Sequence, residues 1–227
     1  MTIRETYEYA LKHGPENKTR KIVCQDPEFA YKYAENVDKC FRRDTREAVC
    51  KSPNYSWLYA KYIDKKPRRD TRNAACKGPY HAFLYAKYVD KKPRKDTRKS
   101  ACKDSEIAYI YALEVDKKPR DDTREVACKK SDTAFFYALN VDKCPRDDTR
   151  EASCRTSKRA YYYARFVDEC PRNDTRVAAC KHPGYMYEYA KFVDRCFRED
   201  TWNIIKKTGL RMLYLEFLND LDKDKII

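Results

Sequence analysis

Asp96-Thr97-Arg98-Lys99-Ser100-Ala101-Cys102-Lys103-Asp104-Ser105-Glu106-Ile107-Ala108-Tyr109-Ile110-Tyr111-Ala112-Leu113-Glu114-Val115-Asp116-Lys117-Lys118-Pro119-Arg120-Asp121 is one period of a chain that repeats every 26 residues. The marker Asp-Thr-Arg begins at Asp44, Asp70, Asp96, Asp122, Asp148 and Asp174, with degenerate copies at Lys18-Thr19-Arg20 and Asp200-Thr201-Trp202. Seven units therefore run from 18 to 199 without an insertion. A fixed period of this length is the signature of a stacked-repeat architecture, in which each unit buries its apolar face only against its neighbours.

The period reads as two helices. Asp96 is a suitable N-cap for a helix over 97–103, because its carboxylate can accept from first-turn amides. Asp104-Ser105 breaks that helix and caps the next, where other copies place Ser52-Pro53-Asn54, Gly78-Pro79 or Pro183-Gly184. A longer helix follows from Glu106 to about Lys117, with Pro119 as its stop. Ala108, Ala112 and Val115 share one face at helical spacing, with Tyr111 beside them. The Tyr-Ala pair recurs at Tyr33-Ala34, Tyr59-Ala60, Tyr85-Ala86, Tyr137-Ala138, Tyr163-Ala164 and Tyr189-Ala190. Such a column could be a base-stacking platform. A packed ladder with hydroxyls reaching the edge is the more economical reading.

The fold expected is all-α: an α-solenoid of seven tandem 26-residue hairpins with N- and C-terminal capping helices. Three segments are expected: a capping helix in 1–17, the repeats in 18–199, and a degenerate repeat with a closing helix in 200–227. The N-terminal cap rests on Tyr7, Tyr9 and Ala10, and the closing helix on Met212, Leu213, Leu215, Phe217 and Leu218.

Composition agrees with helices joined by tight turns. Charged residues make up 38% of the chain, and it holds only four Gly but twenty Tyr. That aromatic content argues against disorder. No stretch approaches the apolar length of a membrane span, and no apolar segment of a signal peptide follows Met1, so a cytoplasmic location without membrane contact is expected. Seven of the eleven Cys, from Cys24 to Cys180, fall one period apart. Equivalent positions of packed helices lie roughly 8–10 Å apart, beyond the roughly 7 Å that a disulfide tolerates. Buried thiols acting as small apolar spacers are expected.

Net charge is +14, which favours acidic partners. One Arg column follows the marker Thr (Arg20, Arg46, Arg72, Arg98, Arg124, Arg150, Arg176), and a second precedes the marker (Arg42, Arg68, Arg94, Arg120, Arg146, Arg172, Arg198). An acidic column runs through Asp38, Asp64, Asp90, Asp116, Asp142, Asp168 and Asp194. Ion pairing between turns is the simplest use of these columns. The charge left over forms a basic ridge of turn residues: Lys65, Lys66, Arg68, Arg69, Lys91, Lys92, Arg94, Lys95, Lys117, Lys118 and Arg120. These are the candidate binding residues. Later turns replace them with Asp121, Cys144, Asp147, Glu169 and Cys170.

Nothing in the chain suggests a catalytic site. His13, His81 and His182 occupy unrelated slots, and no Ser/Cys–His–acid set or glycine-rich phosphate loop occurs. Cys40, Cys144, Cys170 and Cys196 share a turn slot but lie a repeat apart, too far for one zinc site. Neither a metal nor a cofactor is expected.

The unit, with its Pro119-Arg120 turn and its Tyr111-Ala112 and Val115 positions, resembles the short tandem helical repeats common in bacteriophage and large-virus proteins. Those carry Arg-x-Pro-Glu at the turn and Tyr-Ala-x-x-Val/Ile in the second helix; the Asp-Thr-Arg marker and the Cys slot depart from them. The resemblance covers 18–199, implies the hairpin fold and a viral setting in the host cytoplasm, and transfers no site. The function expected is a non-enzymatic scaffold or inhibitor that binds an acidic face of another protein. The alternative is a sequence-independent binder of nucleic-acid backbone through the basic ridge.

Overall fold

A computed structural model describes residues 1–223 of the chain. It is an all-α solenoid of helical hairpins, and its backbone falls into two compact units, one from Met1 to Lys117 and one from Lys118 onward. In the first, a helix over Ile3–His13 precedes four hairpins, of which Lys95–Ala101 with Ser105–Tyr111 is the fourth. In the second, three hairpins precede a final pair, Glu199–Ile205 and Arg211–Lys223. Within each unit a long helix packs on the short helix of its own hairpin, on the short helix that follows, and on the next long helix.

Local chemistry explains most of the long-helix starts. Asp104 Oδ1 accepts from the amides of Glu106 at 2.9 Å and Ile107 at 3.0 Å, a conventional N-cap. Elsewhere Pro27, Pro53, Pro79 and Pro183 occupy the first turn, where a missing N–H costs nothing. Thr2 and Glu5 form a capping box on the first helix.

Two expectations are corrected. The short helix begins at Lys95, so Arg94 and not Asp96 is its N-cap, and Asp96 lies inside the first turn with Oδ1 accepting from Thr97 N at 2.9 Å. An acidic side chain there still complements the helix dipole. The long helix is not regular to Lys117. It is α-helical over Ser105–Tyr111, widens into a π-helical turn over Ala112–Asp116, and ends at Lys117 with φ 53°. The left-handed residue stops the helix two positions before Pro119 acts. Six such π turns occur among the described residues, and Lys39, Lys65, Lys91, Lys117, Lys143, Glu169 and Arg195 all take positive φ.

The core is the Tyr-Ala ladder. Tyr33, Tyr59, Tyr85, Tyr111, Tyr137, Tyr163 and Tyr189 are fully buried, and the following Ala residues are buried with them. At the ends, Ala10 packs with Val23 and Tyr33 while Tyr9 stays exposed, and Tyr214 and Phe217 close the last face while Met212 and Leu213 face out.

Candidate interaction surface

The Tyr hydroxyls do not reach the edge. Tyr111 Oη accepts from the Arg94 amide at 3.2 Å and lies 2.8 Å from Thr97 Oγ1, which is 3.2 Å from the Arg94 carbonyl. The same three contacts recur with Tyr59, Tyr85, Tyr137, Tyr163 and Tyr189. The phenol satisfies the N-cap amide of the short helix from the facing helix, as Glu5 does for Thr2 within one helix. A fully buried ring cannot stack on a base, so these tyrosines are excluded as a base-stacking platform.

The first Arg column is likewise consumed inside the fold. Arg72 Nε lies 3.1 and 2.9 Å from the two Asp90 oxygens, with Nη2 at 2.6 Å. Arg98 grips Asp116 the same way, and Arg150 grips Asp168. The π turn carries each Asp to this position. Some of these arginines also reach the next marker: Arg46 Nε to Asp70 at 2.9 Å and Arg124 Nε to Asp148 at 2.8 Å. The carboxylates of the acidic column are 0–1% exposed. Hydrogen bonding to Asp38 holds the Arg20 guanidinium above its ordinary pKa. Arg46 is the loose rung. It leans over the Phe41 ring at 4.4 Å and stands 3.8 Å from Asp64, whose oxygens have no hydrogen bond and whose pKa burial raises.

The ridge residues lie outside this network. In the first unit Lys65, Lys66, Arg69, Lys91, Lys92, Lys95 and Lys117 are exposed, while Arg68 and Arg94 are half-buried. In the second unit Lys118 is exposed and Arg120 half-buried. Among the described residues no ion pair engages Lys65, Lys66, Lys91, Lys92, Lys117 or Lys118. The second Arg column pairs only loosely, as Arg94 Nε with Asp96 at 3.8 Å and Arg120 Nε with Asp122 at 3.6 Å.

Sequence reasoning missed a second surface feature beside the turns. In four repeats the residue just after the Tyr-Ala pair, Lys61, Lys87, Arg165 or Lys191, lies against aromatic rings. In the first unit Lys61 Nζ is 5.5 Å from the Trp57 centroid, 4.7 Å from Tyr62 and 4.5 Å from Tyr88. In the second, Arg165 lies 4.1 Å from Phe192 and 5.0 Å from Phe166. The i, i+4 spacing of Trp57 and Lys61 was the available signal; the contact with Tyr88, one repeat on, was not legible.

The Cys column is half-buried rather than buried. Burial nevertheless pushes the thiols of Cys50, Cys76 and Cys154 up to about 11. Cys40, Cys144, Cys170 and Cys196 are exposed. Among the described residues no three His, Cys, Asp or Glu side chains gather where they could hold a metal ion. Among the described residues no helix is long and apolar enough to cross a membrane. His81 is kept below its ordinary pKa by burial, and His182 caps a helix by accepting from Gly184 N at 3.2 Å. Compared with protein-family models, curated sequences and solved structures, the chain finds no match.

Proposed function

We propose that the chain is a non-enzymatic helical-repeat scaffold or inhibitor that grips an acidic face of another protein through the basic ridge. The observation that carries this reading is the division of the cations. The buried Arg column is paired with Asp at every rung, loosely only at Arg46, whereas among the described residues Lys65, Lys66, Lys91 and Lys92 stand exposed without ion-pair partners. Charges free of internal partners remain available to steer and hold an oppositely charged surface. In a viral setting, which the repeat resemblance suggests, the partner would be a host protein or a virion component.

A second reading, binding of nucleic-acid backbone without base preference, draws on Lys61 among Trp57, Tyr62 and Tyr88, since cations interleaved with rings suit single strands. One variant set separates the two. Reversing Lys65, Lys66, Lys91 and Lys92 to Glu spares both the Arg–Asp column and the Tyr ladder. Affinity capture with and without nuclease identifies the class of partner. Under the first reading a protein survives nuclease, and the reversed variant associates with it at least about tenfold more slowly. Equal association sinks it. Under the second, oligonucleotide affinity at about 50 mM salt falls with a log–log slope of roughly 0.7–0.9 per phosphate neutralised.

A further inference from the structure

Arg165 is an arginine that this fold has positioned and not used. The buried arginines of its unit, Arg124 and Arg150, meet Asp carboxylates, and half-buried Arg159 is held by Asp132 at 2.6 Å. Arg165 has no carboxylate within ion-pair distance among the described residues. Instead its guanidinium lies over Phe192 and Phe166, and Nη1 donates to Tyr161 Oη. Rings that cover the faces of a guanidinium leave its N–H edge, the part that recognises carboxylates by paired hydrogen bonds.

Arg165 lines a groove of about 410 Å³ between two successive π turns, together with Phe166, Glu169, Phe192, Val193 and Arg195. Two guanidinium groups outnumber one carboxylate there, and among the described residues neither Arg195 nor Glu169 has an ion-pair partner. Phe166 is 46% exposed, so apolar surface lies open beside the cations. Glu169 and Arg195 both hold the left-handed conformation, φ 54° and 49°.

We infer that this groove is the anchor point of the protein partner: it takes an Asp or Glu side chain of a polypeptide on Arg165, with a neighbouring apolar side chain on Phe166, Phe192 and Val193. The inference rests on the protein-binding reading and adds, beside the charge of the lysine ridge, a specific contact in the second unit. Arginine and aromatic groups are the enriched components of protein interfaces, whereas lysine is depleted there, and that contrast favours a protein segment over a nucleic acid at this groove.

Panning a random twelve-residue peptide library on phage against the full chain tests the assignment. Enriched peptides should carry an acidic residue beside a large apolar one. Synthetic copies should lose at least about tenfold in affinity for Arg165→Gln, and for a peptide whose acid is replaced by its amide. Arg165→Lys, which keeps the charge and the ring contacts, should recover only part of the loss. The reversed-lysine variant of the ridge should bind these peptides as the native chain does. Peptides lost on ridge reversal but indifferent to Arg165→Gln would overturn the groove and leave the ridge standing. An absence of acidic residues among the enriched peptides, or oligothymidine binding that disappears with Arg165→Gln, would also overturn it. Circular dichroism of each variant guards against reading unfolding as lost binding.

Discussion

Tyr163 Oη lies 2.8 Å from Thr149 Oγ1, and neither residue is accessible to solvent. The contact joins the two helices of one hairpin, and its counterpart joins Thr97 to Tyr111. Tyr163 Oη also accepts from the Arg146 amide at 3.0 Å, which the short helix leaves open. Side chains so placed should be costly to remove.

Tyr163→Phe is expected to destabilise the chain by about 1–3 kcal/mol, the cost of leaving a buried donor unpaired. Thr149→Val should cost a similar amount, and the double variant less than the sum, because both break one network. Urea unfolding of the three variants measures this. Additive losses would mean that the two hydroxyls act independently.

Removing Arg72 alone strands the Asp90 carboxylate, which is 1% exposed. Arg72→Met should cost about 3–5 kcal/mol, while Arg72→Met with Asp90→Leu should recover most of it, since an apolar pair needs no compensation. The thermal midpoints of the single and double variants report the difference.

Asp64 should behave differently. Its carboxylate has no hydrogen bond, and burial raises its pKa. A carboxyl with a raised folded pKa contributes stability that is complete below its unfolded pKa and lost as pH rises through the folded value. Asp64→Asn should therefore be neutral or stabilising at pH 7 and give no advantage near pH 3. Urea midpoints at the two pH values check the sign.

Thiol alkylation should sort the cysteines into two classes. With pKa values of about 11, Cys50, Cys76 and Cys154 hold only about one part in a thousand as thiolate at pH 8, and thiolate is the reactive form. Exposed Cys40, Cys144 and Cys170 should be modified first by iodoacetamide, as read by peptide mass mapping. The same shifts predict that the stability these thiols contribute is complete below pH 9 and lost as pH rises toward about 11, because the folded thiols hold their protons longer than the unfolded ones.

Lys91 holds φ 52°. Lys91→Gly should be neutral or stabilising by up to about 1 kcal/mol, the relief of left-handed strain being partly offset by a freer unfolded chain. Lys91→Val, β-branched at that position, should cost about 1–2 kcal/mol. Glycine variants at Lys65 and Lys91 also delete two ridge charges without endangering the fold, a second route to testing the ridge.

The sequence by itself determined the repeat, the pair of helices in each period, and the columns of Tyr, Arg and Asp, because all of these depend on spacing along the chain. The Asp104 cap and the first-turn prolines were equally local and equally legible. What the columns bond to was not. The Thr97 partner of Tyr111 lies fourteen positions away, and the Asp116 partner of Arg98 eighteen, across a turn whose direction only the packed hairpin sets. The π turn was hidden for the same reason. Widening one helical turn has no residue signature, and here it occurs where it carries the Asp column to the buried guanidinium groups. The Arg165 groove depends on Phe192, one repeat further on, so it exists only once neighbouring hairpins are stacked. Local hydrogen bonds and periodicity are written in adjacent residues, whereas a side chain's partner and exposure are decided by which surfaces the stack brings together.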